Sequence, residues 1–229
     1  MTQNQQTAPV DGLDVVVCGA SSPLSTTGNA QSCVFIIAGD MSFVVDTGPG
    51  SPRVIRRLGL ALNNLEAVLL THFHGDHISA LGDVNFNSWV AGRGKKLTVM
   101  GPEGVDLVVN GFNQAYSLDS SYRTRHHGWD ILPLEYSVMQ SKTIEAGLVF
   151  EEDGLSIRAF RVDHSPIEPA VGYRFDYKGR SVAVSGDSIV TKDYREAVEN
   201  VDLLLADALS ELLVSKMSEA LSANGNERT

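Results

Sequence analysis

Thr71-His72-Phe73-His74-Gly75-Asp76-His77 is the stretch on which the rest of the chain is organised. It follows the apolar run Ala67-Val68-Leu69-Leu70, which predicts a buried strand. It precedes Ile78-Ser79-Ala80-Leu81, which opens a helix. Seven residues between strand and helix therefore hold three imidazoles and one carboxylate. These are nitrogen and oxygen ligands of the kind that Zn²⁺ and its neighbours in the series prefer. At the end of an extended strand His72 and His74 point the same way, whereas the adjacent Asp76 and His77, beyond the turn, point apart. Donors spread in this way suit two ions side by side better than one ion taking all four. A lone histidine on a strand is commonly a hydrogen-bonded core or surface residue. Three of the chain's six histidines within six positions, with an aspartate among them, are not explained by packing.

At 229 residues, 43% hydrophobic and 20% charged, the chain can bury a core as one domain, and no repeat or low-complexity linker divides it. That domain is expected over residues 13–229, after a polar flexible tail at 1–12. No run of eighteen apolar residues is present, so no membrane-spanning helix is expected. The polar start Met1-Thr2-Gln3-Asn4-Gln5-Gln6-Thr7 lacks the basic flank and apolar centre of a signal peptide, which makes the cytoplasm the expected location. Eighteen basic against 28 acidic residues give a net charge of −10. An acidic surface repels phosphate backbones at long range, so RNA is disfavoured as a partner, although bound divalent ions would reverse the sign locally. Cys18 and Cys33 fall on consecutive predicted strands. In a reducing cytosol they are expected as two buried free thiols rather than a disulfide.

Along the chain, strands are predicted at Leu13 to Cys18, Cys33 to Ala38 and Phe43 to Asp46, the last two joined by a tight turn at Gly39-Asp40. The third ends in Asp46-Thr47-Gly48-Pro49-Gly50, where an aspartate can fix neighbouring loops by accepting backbone N–H bonds. A helix from about Ser51 to Leu60 follows, with Pro52 in its first turn. After the histidine stretch come a helix through about Trp89, a basic glycine turn at Gly92 to Lys96, and a strand at Leu97 to Met100. Pro102 opens a helix to about Tyr116, and Ser117 to Trp129 reads as irregular. Strands are expected at Leu132 to Val138, Leu148 to Glu151 and Leu155 to Val162, then a hairpin of Ala170 to Tyr177 with Ser181 to Val184. A short helix near Lys192 to Glu199, a strand at Asp202 to Leu205 and a helix to about Leu221 close the chain. This order predicts two mixed sheets packed together with helices outside. Three strand ends lead into candidate ligands: Leu70 into His72, Val162 into His164, and Val184 into Asp187.

An Asp-Thr-Gly strand end, the Thr-His-Phe-His-Gly-Asp-His stretch, Asp163-His164 followed by Gly172-Tyr173-Arg174, and Ser185-Gly186-Asp187-Ser188 occur here in one order. That order resembles the metallo-β-lactamase fold superfamily, and within it the ribonuclease Z and arylsulfatase-like branch, over about residues 13 to 207. The resemblance implies an α/β fold, a four-layer αββα sandwich with metals at one edge. It implies that His72, His74 and His164 hold one zinc, that Asp76 and His77 hold a second, and that Asp187 bridges the two. Asp46 would orient the histidine loop from behind. Two zinc ions are thus expected, and manganese or iron would suit the same ligands. The family draws a further late histidine to the second metal, whereas this chain has none after His164, and a chain truncated relative to the family is the expectation. The transfer-RNA-processing members also carry a long substrate arm. In their short bacterial form it lies between the equivalents of His164 and Asp187, where this chain has only 22 residues, most of them in a hairpin.

The expected activity is a metal-dependent hydrolysis in which activated water attacks an ester, phosphodiester or sulfate ester of a small molecule, with Asp76 taking a proton. No Gly-x-Ser-x-Gly elbow offers a protein nucleophile. The alternatives are a transfer-RNA 3′-end endonuclease and a catalytically incomplete fragment. His126 and His127, in Tyr122-Arg123-Thr124-Arg125-His126-His127-Gly128, lie either at the mouth of the site or in a solvated loop, and are not assigned to metal. Homo-oligomerisation is a further expectation, because an incomplete half-sandwich would expose apolar surface.

Overall fold

The computed structural model of the chain describes residues 11–23, 28–208, 214–216 and 219. In chain order its elements are β1 (Leu13–Gly19), β2 (Cys33–Ala38), β3 (Met41–Val45), α1 (Ser51–Arg57), β4 (Leu65–Leu69), α2 (Gly75–Ile78), α3 (Leu81–Val90), β5 (Leu97–Gly101), α4 (Val105–His127), α5 (Leu134–Ser137), β6 (Met139–Thr143), β7 (Gly147–Glu152), β8 (Leu155–Arg161), β9 (Val171–Tyr177), β10 (Arg180–Val184), α6 (Lys192–Ala197) and β11 (Leu203–Leu205). Most of the helix expected to reach Leu221 lies outside the described residues, as does the predicted tail up to residue 10.

The first sheet runs β1-β2-β3-β4-β5-β6 and the second β11-β10-β9-β8-β7. Both are mixed. In the first, β1, β2 and β3 pair antiparallel and β3 to β6 pair parallel. In the second, only β10 and β11 are parallel. The period-two alternation of the strands explains the layering. Phe43, Val45, Ala67 and Leu69 face the second sheet, where they meet Ile157, Tyr173, Phe175 and Val184. Val44, Val68, Leu70 and Val99 face the other way, onto Ile55 of α1, Leu81 and Val84 of α3, and Val105 and Val109 of α4. On the far side of the second sheet, Tyr194 of α6 meets Phe160 edge-on at 6.1 Å. The result is the four-layer helix–sheet–sheet–helix sandwich.

Two links hold the sheets together beside the histidine stretch. The buried Tyr173 hydroxyl donates to the Leu70 carbonyl at 2.8 Å, and Val171 N–H donates to the Thr71 carbonyl at 3.0 Å. Gly172 lies between them, where a Cβ would collide with the Phe160 ring and stand 2.8 Å from the Val184 carbonyl. Arg174 pairs with Asp176 and donates to the Ala197 and Glu199 carbonyls, tying α6 to the second sheet.

Several expectations are corrected. Cys18 and Cys33 form a disulfide, with Cα atoms 5.0 Å apart. The β1–β2 register shifts between Val17 and Gly19, so Cys18 is an extra bulged residue beside Cys33. The stretch read as irregular from Ser117 to Trp129 continues α4 as far as His127. There Asp119 pairs with Arg123 one turn on at 2.9 Å, the Thr124 hydroxyl donates to the Leu132 carbonyl at 2.8 Å, and Gly128 stops the helix at φ 101. Leu132 to Val138, expected as a strand, is mostly the short helix α5 after Pro133, and the strand comes later as β6. The basic glycine turn hides a buried arginine. Arg93 donates to Ser88 Oγ, Asn85 Oδ1 and the Lys95 and Tyr136 carbonyls, and burial pushes its pKa down to about 10.

Replacing Tyr173 with Phe keeps the ring in the core but leaves the Leu70 carbonyl buried without its donor. The expected loss is about 1–2 kcal/mol, read as a lower urea midpoint with an unchanged slope.

Candidate metal centre

All the predicted ligands converge at one edge of the sandwich. Ligand atoms of His72, His74, His164 and Asp187 lie within 4.8 Å of one another. His74 Nδ1 stands 3.0 Å from His72 Nε2 and 3.3 Å from His164 Nε2. Around a tetrahedral ion bound at 2.0–2.1 Å, neighbouring nitrogens would stand about 3.3 Å apart. A second group adjoins the first. His77 Nε2 is 3.2 Å from Asp187 Oδ1 and 3.6 Å from Asp76 Oδ2. Asp187 therefore belongs to both groups.

The local backbone explains the convergence. His74 is the N-cap of α2, whose single turn is closed by His77 N–H onto the His74 carbonyl at 3.0 Å. The loop after β3 clamps that turn: Thr47 N–H donates to the His77 carbonyl, and Ala80 N–H donates to the Thr47 carbonyl at 2.8 Å. Gly48 lets the two loops touch, because a Cβ there would collide with the Asp76 carbonyl and with the backbone of Gln31 and Ser32. His164 is held by a bridge to Ile167, and Ile189 N–H donates to the Asp163 carbonyl at 2.9 Å. Gly186, at φ 64, packs against the Thr71 side chain and brings Asp187 round to the imidazoles.

Behind the imidazoles lies Asp46, buried and held at φ 57, an uncommon backbone for a residue with a Cβ. Its carboxylate accepts from Thr71 N–H at 2.9 Å, Thr71 Oγ1 at 2.8 Å, His77 Nδ1 at 2.8 Å and Ser32 Oγ at 3.3 Å. These bonds fix the tautomers. A hydroxyl has one proton, and that of Thr71 goes to Asp46. Thr71 Oγ1 therefore accepts from His72 Nδ1 at 3.1 Å, and His72 turns a lone pair on Nε2 toward His74. His77 likewise carries its Nδ1 proton toward Asp46 and aims Nε2 at the acids.

Charge follows the same plan. Burial, then the neighbouring His77, pushes His72 down to about 4, so its imidazole is neutral and ready to bind a cation. Burial works against a charge on His77, but its bonds to Asp187 and Asp46 raise it to about 10. Burial pushes Asp187 up and His77 more than offsets this, so its pKa falls. Asp207, missed in the sequence, is raised by burial and by Asp187 beside it, and its N–H donates to Ser185 Oγ at 3.3 Å. Thr71 lay inside the quoted stretch, yet its orienting of His72 depends on Asp46, 25 positions away. His126 and His127 stand at the far end of α4, about 34 Å along the helix from its start at the site edge, and form no part of the mouth.

The family model for the beta-lactamase superfamily domain matches residues 42–223. The chain belongs to that family. Among β-lactamase superfamily relatives, a ribonuclease Z of Mycobacterium bovis (strain BCG / Pasteur 1173P2) is 31% identical over 210 residues, which are 90% of this chain and 74% of that protein. The short form of human tRNase Z superposes with a TM-score of 0.66 at 20% identity, covering 90% of this chain and 82% of that one. The Zn²⁺-bound PqqB from Methylobacterium extorquens does so at 0.56 and 16% identity, covering 85% and 72%. At those identities the two structures share the fold. Among the described residues, no helix is long and apolar enough to cross a membrane.

The charge on His77 stabilises the metal-free fold. Its pKa is raised from 6.5 to about 10, so this contribution is fully present below pH 6.5 and is lost as pH rises through about 10. In chelator-treated protein, urea midpoints of the wild type should fall across that window, and those of His77→Gln should lack the fall.

Proposed function

We propose that the protein is a metal-dependent hydrolase that cleaves a phosphodiester bond in RNA. One observation carries this reading: a His₃Asp cluster with ligand atoms within 4.8 Å, in a chain 31% identical over 90% of its length to a ribonuclease Z. His72, His74 and His164 would hold one divalent ion, Asp76 and His77 a second, and Asp187 both. The donor set of neutral imidazoles and carboxylates fits zinc, and the Zn²⁺-bound fold neighbour supports that choice. When bound, such ions bring the pKa of water toward 7 and offset the charge of a phosphoryl group.

The chain's own residues do the rest. Asp46 holds His77 directly, and His72 through Thr71, so both present a fixed nitrogen without reorganising. Asp76, whose Oδ2 lies 3.6 Å from His77 Nε2, is the carboxylate placed to take a proton from attacking water. Asp207, with its raised pKa, stands beside Asp187 as a group able to return a proton to a leaving oxygen.

A second reading, hydrolysis of a small ester or sulfate ester, draws on a cavity of about 780 Å³ lined by Glu103, Glu145, Arg161, Val162, Glu168 and Pro169, on the side of the centre next to His164. Three carboxylates there repel a polyanion, and the 22 residues between His164 and Asp187 leave no room for an RNA-gripping arm.

One experiment separates the readings. Metal content is measured on the purified chain, and activity is then assayed on precursor transfer RNA and on chromogenic phosphodiester, sulfate-ester and lactone substrates. Cleavage of the RNA at its 3′ side, lost in His74→Ala and after chelation, is the expected result. Turnover of small esters alone would replace the first reading with the second. A chain that binds no metal would overturn both and leave an incomplete fragment.

Loading should also release protons. His77 in the metal-free protein keeps a proton to about pH 10, and an ion at Nε2 displaces it. Titration calorimetry of the chain with Zn²⁺ at pH 7, in buffers of different ionisation heat, should show about one proton released per chain. Asp46→Asn, which replaces an acceptor by a donor facing His77, should weaken binding by about 10–100-fold.

A further inference from the structure

The short segment Ala30-Gln31-Ser32 links the disulfide to the loops of the metal centre. On one side it lies against the end of β1. Ala20 and Ser21 N–H both donate to the Ala30 carbonyl, at 3.0 and 3.1 Å, and a Cβ at Gly19 would collide with the Gln31 carbonyl. On the other side it holds the loop after β3. Gln31 N–H donates to the Pro49 carbonyl at 2.9 Å, Gly48 N–H to the Ser32 carbonyl at 2.8 Å, and Ser32 Oγ to Asp46 Oδ2 at 3.3 Å. That loop in turn clamps α2, because Thr47 N–H donates to the His77 carbonyl. Cys33 follows Ser32 directly, so its bond to Cys18 fastens the segment covalently to β1. While that bond is intact, little further freedom is lost in keeping Ser32 on Asp46. Once it is open, hydrogen bonds alone must hold the segment in place.

The disulfide is buried, yet Cys18 stands in the wall of a cavity of about 280 Å³ between β1 and α1. Val17, Ala30, Val54 and Arg57 line it too, and among the described residues Arg57 is the only charged group in that wall. Arg57 is exposed in the last turn of α1. An apolar pocket with one cation at its wall suits a small molecule that carries a single negative charge.

We propose that this cavity admits a small anionic thiol, that the thiol opens the disulfide, and that Ser32 is the positioning residue through which the opening weakens the metal centre. The proposal rests on the reading of the histidine cluster as a metal centre. The thiolate attacks the sulfur of Cys18, the Cys18–Cys33 bond breaks, and Cys33 leaves as a thiolate that takes a proton. A second thiol then attacks the mixed disulfide and frees Cys18. The cysteine pair gains two electrons, and two thiols are oxidised to one external disulfide. Ser32 is then no longer fastened to β1, and Asp46 loses a donor that helps to aim it at Thr71 and His77.

The test uses the full chain and measures Zn²⁺ affinity by competition with a chromogenic chelator. The double variant Cys18→Ser, Cys33→Ser has no thiols of its own to bind the ion, and its affinity should be about tenfold weaker than that of the oxidised wild type. Ser32→Ala, with the disulfide intact, should lose a similar factor. Thr124→Ala, remote from the centre, should melt at a lower temperature with its affinity unchanged, which separates positioning from general stability. In the metal-free chain, the Thr47 and Gly48 amides should exchange faster with solvent in the double serine variant than in the wild type. An oxidised wild type that binds no Zn²⁺ would overturn the metal reading, and the exchange rates would then decide the link from disulfide to loop by themselves. Zn²⁺ binding and amide exchange unchanged in both the double serine variant and Ser32→Ala would overturn the proposal. Entry through the cavity is read from rates of reduction. The ratio of the rate constant with 3-mercaptopropionate to that with neutral 2-mercaptoethanol should fall about tenfold in Arg57→Glu. An unmoved ratio would overturn the cavity as the route.

Discussion

The carboxylate of Asp46 is the constraint on which the rest of the site depends. It lies at the end of β3, in a backbone conformation that few residues with a Cβ adopt, and it accepts four hydrogen bonds. Those bonds reach Ser32 before β2, Thr71 after β4 and His77 in α2. One buried charge therefore sets the separation of three loops and decides which nitrogen of two imidazoles carries a proton. A buried carboxylate so fully satisfied is stable, and the same group with one donor removed would carry an unpaired lone pair in a dry place.

From that anchor the two sheets become one object. The Tyr173 hydroxyl and Val171 N–H reach from β9 to the Leu70 and Thr71 carbonyls, at the point where the first sheet hands over to the histidine stretch. Gly186 lies against Thr71 from the other side. His164 and Asp187 belong to the second sheet, His72 to His77 to the first, so the centre exists only while the sheets keep this register. The Gly-Tyr-Arg run, quoted in the sequence as a family mark, is thus a structural device. Gly172 permits close packing on Phe160, Tyr173 joins the sheets, and Arg174 holds the end of α6.

Legibility in the sequence follows the range of the determining interaction. The cluster at 72–77 was legible because its donors are neighbours in the chain, and the strands around it because one face of each is apolar. His164 and Asp187 were legible as candidates at strand ends, and their place beside the cluster came from the resemblance to the family. The second half of α4 was not, because Ser120 and Thr124 occupy the buried face where apolar residues are expected, and the Thr124 bond to Leu132 closes a contact that local pattern does not carry. β6 was missed because it is polar: Gln140, Ser141, Lys142 and Thr143 are exposed on the sheet edge. The disulfide was misjudged because an assumed reducing cytosol was set against the neighbouring places of Cys18 and Cys33, which a bulge brings side by side. The burial of Arg93 was not legible within the basic glycine turn because its acceptors lie on α3 and before β6.

Net charge is the weakest of the sequence arguments about substrate, and the geometry shows why. The formal charge of −10 is spread over the chain, whereas a substrate would meet the few groups at the edge of the sandwich. Charges separated by more than about 8–10 Å in salt are largely screened. At that edge Asp76, Asp187 and Asp207 stand together, close enough that Asp187 raises the pKa of Asp207. Carboxylates crowded in this way are unfavourable alone and favourable around cations. Two divalent ions held there would set four positive charges against these carboxylates at the place where the crowding is greatest. The acidity that argues against an anionic substrate at a distance is, within the centre, the reason such ions would be held. Discrimination between RNA and a small ester therefore falls to the walls beyond the centre, where Glu103, Glu145, Glu168 and Arg161 line the neighbouring cavity.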